Sequence, residues 1–406
     1  MPTEMPYGTW TSPITPDSLV QESIRLGDIL ISAGRSYWLE MRPSEDGRYV
    51  LVSMINGSDD PMDVTPKPYN VRSRVHEYGG GSFTVSKDSI YFSNFIDQRI
   101  YKMEMAGENI FPISPDNDNT RYADLKIEEN LNWLIAVKES HCGGREPKNS
   151  IVAIDLGESN FEKTLISGAD FFSAPVISPD GEKLAWIQWD HPNMPWDSTE
   201  LWTAKITQDK ELTHIVKIAG NQGESICQPL WSPNNDLYYV SDISGWWNLY
   251  QYQNGTHINL TPLEGEIAQP QWGLGSYYYG FRSENLVIYA INTRGEWSLH
   301  EINLQSNTSR KIKTPFNEIN RSGIKVCGDK LLVGAGSGNT PYSIYIGDKN
   351  NNFNAIRSSE PMHLGKEYIS LPENIEFPTE NGLNSYGFYY SPKTPIILVR
   401  KGRNLQ

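Results

Sequence analysis

The sequence predicts an all-β protein, a β-propeller of about seven four-stranded blades, with a short helix before it and the first hairpin of a further sheet after it. Three observations carry this. Aromatic residues are abundant (12 Trp and 22 Tyr in 406 residues), and with many Gly and Pro and no long Leu- or Ala-rich runs the composition favours strands. A unit of strand, tight turn, strand and polar gap recurs roughly every 45–65 residues, the spacing of propeller blades. One four-stranded sheet cannot bury both of its apolar faces alone, whereas radial stacking buries each against the next blade. Six or eight blades, an open sandwich, or two unrelated β domains are the alternatives this pattern leaves.

The chain divides into 1–29, 30–366 and 367–406. In the first part, TPDSLVQESIRLGD (15–28) has Thr or Asp as an N-cap and Leu19, Val20 and Ile24 at helical spacing, which predicts the short helix. The clearest repeat of the second part is APVISPDGEKLAWIQWD (174–190). There Pro179 fixes φ and Gly181 tolerates the positive φ that a tight hairpin needs. QPLWSPNNDLYYVSD (228–242) is a second copy, AQPQWGLGSYYYGF (268–281) a worn third, and MRPSEDGRYVLVSM (41–54) an early variant. Third strands are expected at RIYKME (99–104), ELWTAKI (200–206), NLYQYQ (248–253), SLHEINL (298–304) and SIYIGD (343–348). Fourth strands are expected beside FPISP (111–115), INLTP (258–262) and IKTPF (312–316). In the last part, the Thr379–Gly382 turn followed by alternating Tyr386, Phe388 and Tyr390 predicts a hairpin.

Composition excludes some functions. A formal net charge of -14 opposes a broad phosphate-binding surface, so no nucleic-acid partner is expected. No apolar run reaches the length of a membrane span, and the first residues lack the charged and apolar regions of a signal peptide, so a cytoplasmic protein with no membrane partner is expected. Cys142, Cys227 and Cys327 form neither a disulfide framework nor a CxxC knuckle. The seven histidines form no local ligand pair, there is no HExxH, and DNDNTRYAD (116–124) lacks the Gly and Glu of a calcium loop and reads as a turn between blades. No metal and no cofactor are expected. No serine has glycine at both -2 and +2, so the nucleophile elbow of a hydrolase is absent.

Two stretches are candidates for binding. VRSRVHEYGGGSF (71–83) sets His76, Glu77 and Tyr78 before three glycines that let backbone pass close to a neighbour or a ligand. WDHPNMPWDSTELW (189–202) is longer and more aromatic than a turn between two strands requires, and it offers Asp190, His191, Asn193, Trp196 and Asp197. A charged loop turning a corner and a packed decorative loop are the plain readings of the two.

Taken together, YGTWTSPIT (7–15), YWLEMRPSEDGR (37–48), DVTP (63–66), NVRSRVHEYGGGSF (70–83), YFSNFIDQRIY (91–101), ISPDGEKLAWIQWDHPNMPWDSTELW (177–202), WSP (231–233) and SGWWNLY (244–250) resemble the N-terminal half of bacterial prolyl oligopeptidase-family serine peptidases, the dipeptidyl aminopeptidase/acylaminoacyl-peptidase-like group in particular. The resemblance implies a propeller that gates access for short peptides, followed by an α/β-hydrolase domain whose first hairpin is 375–392. It implies that the Ser, Asp and His of the triad fall after Gln406, so that no catalytic residue is carried in this chain and it is inactive alone. It also implies that His76, Glu77, Tyr78 and the 190–197 loop face substrate, with short peptides as ligands and a hydrolase domain or another chain as partner through the 375–392 strands. A stand-alone propeller acting as a peptide- or protein-binding scaffold is the alternative.

Overall fold

The computed structural model describes residues 3–5, 9–10, 13, 15–16, 23–58, 60–105, 109–144, 146–157, 161–360, 364–394 and 397–399. Among them, seven four-stranded antiparallel sheets follow one another along the chain, each made of four consecutive strands. Blade 1 runs from Arg25–Ser32 to Met62–Asp63, blade 2 from Phe83–Val85 to Ile110–Pro112, and blade 3 from Thr120–Glu128 to Glu162–Ser167. Blade 4 runs from Phe171–Ile177 to Leu212–Ala219 and blade 5 from Ile226–Trp231 to Thr256–Asn259. Blade 6 runs from Tyr279–Ser283 to Thr308–Ile312, and blade 7 from Glu318–Cys327 to Phe353–Ser358. First strands of neighbouring blades lie against one another, so they line the axis, while fourth strands such as Leu212–Ala219 and Thr256–Asn259 are largely exposed.

The blade faces explain the sequence pattern. The second strand of blade 3 reads WLIAVKES without polar alternation because both faces are covered. Trp133, Ile135 and Val137 pack towards blade 4 with Trp186 and Phe172, while Leu134 and Ala136 pack towards blade 2 with Tyr91 and Ile100. In blade 4 the same period sends Leu184 and Trp186 to blade 3 and Ala185, Ile187 and Trp189 to blade 5. The core is therefore a ring of wedges between blades. Each large side chain buried in a wedge contributes about 1.5–3 kcal/mol.

Among the described residues, no strand is shared between the ends of the ring. Blade 1 meets blade 7 through Leu26, Trp38 and Val50 packed on Leu332 and Ile344. Buried Glu40 ties the seam: it accepts from Trp38 Nε1 (3.0 Å), from Arg42 Nη2 (2.9 Å) and, across the seam, from Arg357 Nε (2.6 Å). Ile24 N donates to Ser359 O at 2.8 Å beside it.

Most of the inner strands share another feature. Pairing with the second strand slips at Leu26/Ile29, Ala123/Lys126, Ser173/Val176, Cys227/Leu230 and Ile319/Ile324, placing bulges around the axis. Asp124, Ala174 and Gln228 take positive φ there. Side chains at these bulges stitch blade to blade. Asp124 Oδ2 accepts from Ala174 N (2.7 Å), and Gln228 accepts from Tyr278 N (2.6 Å) and donates to Tyr279 O (2.8 Å).

Several expectations change. Residues 17–22 of the expected helix lie outside the described residues, and its end, Arg25–Asp28, is strand, because Leu26 and Ile29 are needed in the seam. The 41–54 turn joins the second and third strands of its blade, not the first and second. Residues 268–278 are a loop leading into blade 6 rather than a strand, and Thr120–Asp124 belongs to the inner strand of blade 3 rather than to a turn. The expected hairpin is present as Pro372–Pro378 paired with Asn384–Tyr390. No long helix occurs among the described residues, and the start of an α/β domain is not among them.

Candidate functional site

The HEYGGG loop does not stay at the surface. His76 and Glu77 both take positive φ, as do Gly79, Gly80 and Gly81, which turns the chain inwards. Gly81 N donates to Asp28 of blade 1 (2.9 Å), Leu125 N of blade 3 donates to Gly81 O (3.0 Å), and Leu274 N of the blade 6 lead-in donates to Gly79 O (2.8 Å). A segment that touches blades 1, 3 and 6 can do so only at the axis, so the two loops bridge the centre of the ring. The glycines are required there: a Cβ on Gly79 would collide with Ser73 O, and one on Gly80 with Leu274 O. Val75, buried beside Leu274, anchors the crossing in the wedge between blades 3 and 4.

A buried carboxylate fixes the loop's polar start. Glu139 of blade 3 accepts from His76 N (2.8 Å), Arg121 Nη1 (3.1 Å) and His141 Nε2 (2.7 Å). The same Arg121 binds Glu77 (2.7 Å) and lowers its carboxyl below the ordinary range. Burial pushes the His76 imidazole down, against the pull of Glu139, the Asn149 side chain and Asp124, which favours the neutral ring.

Beside the crossing lies a cavity of about 400 Å³. One wall is Phe171 stacked on Trp189 (5.2 Å), with His76 edge-on to both and His191 tilted against Phe171 (4.9 Å). The other is Trp196 against Trp272 (4.5 Å), with Tyr78 edge-on to Trp272 (5.3 Å). Tyr78, Trp272 and Met194 are exposed at the rim. The 189–199 loop is held in place by turns and by Trp189 and Trp196, which pack against core clusters on either side of it. Asp190 accepts from Asp170 N (2.7 Å), Asp197 accepts from Met194 N (2.9 Å), and Asp170 binds both the backbone N (3.0 Å) and the ring of His191. Those contacts hold the Asp170 carboxyl below its ordinary value.

The floor carries charge that is already paired. Lys126 Nζ lies 2.8 Å from Asp124 Oδ1 and beside the Tyr277 ring. Burial opposes the Lys126 ammonium, but Asp124 and Tyr277 outweigh it and hold Lys126 above its usual range. Lys325 stacks over the same ring and is driven well below its usual range by burial and by the neighbouring Lys126 charge. No cluster of three or more metal-ligating side chains occurs among the described residues, and no helix there is long and apolar enough to cross a membrane.

Neither a family model nor a curated protein sequence matches the chain. Solved structures do. A puromycin-hydrolysing peptidase of Mycobacterium tuberculosis superposes with a TM-score of 0.90 at 27% identity, over 99% of this chain and 64% of that one. A puromycin hydrolase matches equally at 26% identity, again over 99% and 64%. Prolyl oligopeptidase B from Galerina marginata shares the fold at 12% identity and a TM-score of 0.64, over 91% of this chain and 55% of that one. The chain matches the propeller portion of puromycin hydrolase and prolyl oligopeptidase-family peptidases. It spans about two-thirds or less of the length of these relatives.

Within this propeller, His76, Tyr78, His191, Asn193 and Trp196 line one cavity although two blades separate their loops in sequence. Glu77, Asp190 and Asp197 do not line it: Glu77 is tied to Arg121, and the two aspartates shape the loop that carries the others. Sequence reasoning passed over Phe171, Gln271, Trp272 and Asp124. The Trp and glycines of QPQWGLGS (269–276) were the available signal, hidden by their likeness to a blade repeat.

Proposed function

We propose that this propeller gates access to a prolyl oligopeptidase-type serine peptidase acting on short peptides, and that it has no peptidase activity of its own. The observation that carries the proposal is the chain-long likeness to puromycin-hydrolysing peptidases, combined with one mouth cavity lined from both the HEYGGG and the DHPNMPWD stretches. The bridged axis supports selection at the mouth, since the Gly79–Leu274 contact crosses the path that a threading peptide would take. The exposed Ile375, Phe377 and Tyr386 of the hairpin would then face a hydrolase domain.

The test has two parts. Purified chain is incubated with aminoacyl and acyl-peptidyl chromogenic amides, and no turnover above a mock preparation is expected; turnover overturns the non-catalytic reading. Tryptophan emission is then titrated with tripeptides, with puromycin and with a long unfolded polypeptide. Saturation by the short ligands alone supports gating, and equal saturation by the long chain overturns it. A second reading, a stand-alone peptide- or protein-binding scaffold, is favoured by the self-closed ring with its own seam. Short and long ligands binding alike would support that reading.

A further inference from the structure

We propose that the mouth cavity is itself a binding site for an uncharged aromatic residue within a peptide, its ring held between the two aromatic walls and its amide engaged by His76 and Gln271. The inference rests on reading the mouth as the substrate-facing end. Its volume of about 400 Å³ falls in the range of small-molecule sites and exceeds what one aromatic side chain fills, leaving room for the adjoining amides. The lining pairs Phe171 with Trp189 and Trp196 with Trp272 offer both ring faces and ring edges, the geometries in which aromatic groups pair. Trp272 is 48% exposed and Met194 42%, so apolar surface remains at the rim for an incoming ring to cover.

Two polar atoms at this cavity are buried without a well-formed hydrogen bond among the described residues: Gln271 Oε1, and His76 Nε2, which has beside it only the Asn149 side chain, itself unpaired at Oδ1. Buried polar groups are ordinarily paired, and leaving one unpaired costs about 1–3 kcal/mol. Gln271 can only accept through this oxygen, which suits an amide N–H. The imidazole accepts or donates according to its tautomer, and an amide offers a partner for either. Charge selects against ionic ligands. Asp124 and Lys126 satisfy each other at the floor, so a charged side chain entering the cavity would lose its water without gaining a counter-ion.

The experiment is calorimetric titration of the full chain with N-acetyl-L-phenylalaninamide, N-acetylglycinamide and N-acetyl-L-lysinamide. The phenylalanine probe is expected to saturate and to bind at least about tenfold tighter than the other two, as burial of one ring implies. Trp272→Ala is expected to cost about tenfold, and Gln271→Leu about fivefold while preserving the phenylalanine-over-glycine ratio. Should Trp272→Ala fold poorly by circular dichroism, Trp272→Phe and the rim variant Met194→Ala carry the test, each expected to weaken the phenylalanine probe about threefold. Three probes binding alike, absence of phenylalanine-probe binding, or variants without effect overturn the site. These titrations use no hydrolysis and no length series. Failure here therefore leaves the gating reading standing, and failure of gating with the probe still bound leaves the site standing on a scaffold.

Discussion

His76 joins three levels of the structure in one side chain: a left-handed backbone, an amide held by buried Glu139, and a ring wedged edge-on against Phe171 and Trp189. Its burial sets a pH dependence. Because the folded imidazole lies below its ordinary value, the unfolded chain takes up the proton first as pH falls through about 6.5. Stability from the neutral ring is thus complete above that pH and declines below it. Chemical denaturation midpoints are expected to drop from about pH 8 to about pH 5.5, and His76→Gln should flatten part of that drop. His300, pushed down by burial and by Lys311, keeps a remainder in the variant. An identical slope in wild type and variant would exclude the His76 ring as the source. His76 was legible in the sequence because unusual residue types crowd around it. Gln271 was not, since a single glutamine acquires meaning only when a loop 190 or so residues away folds over it.

At the scale of elements, the glycine-rich loop and the blade 6 lead-in act as one unit. Gly80→Ala is expected to destabilise the protein by about 3 kcal/mol, through a positive φ and a collision with Leu274 O, measurable by urea unfolding. A matching measurement is hydrogen exchange: the Leu274 amide, although in a loop, should exchange as slowly as strand amides because it donates to Gly79 O at the axis. Rapid exchange would show that the two loops part in solution. The other exposed unit is the hairpin of Pro372–Pro378 and Asn384–Tyr390, whose apolar side chains and unpaired edges invite association. Light scattering is expected to show concentration-dependent self-association, reduced by Phe377→Ser; a strict monomer at all concentrations would remove that liability. Strands and turns were legible here because period-two alternation and Asn-Gly turns are local signals. The 268–278 lead-in was not, because aromatic and glycine residues that bridge an axis look, over a short window, like those of a worn blade.

For the whole molecule, blade number could be counted from the sequence because every blade repeats one local pattern, whereas the closure of the ring depends on residues more than three hundred positions apart. Arg357→Leu leaves buried Glu40 with Trp38 and Arg42 alone and is expected to cost about 1.5–3 kcal/mol, read as a lower unfolding midpoint. An unchanged midpoint would mean that the apolar contacts of Leu26, Trp38, Leu332 and Ile344 close the ring by themselves. The seam also gives the molecule a mechanical direction. The chain enters at Ile24 and leaves at Ser359, joined by one hydrogen bond. A tether pulling these two points apart loads that bond and the Glu40–Arg357 pair first, and once they yield the first and last sheets each have a free flank. Because every sheet is a continuous run of four strands, the ring would then pay out length blade by blade, as a sawtooth of discrete extensions under an optical trap, rather than rupturing in a single event.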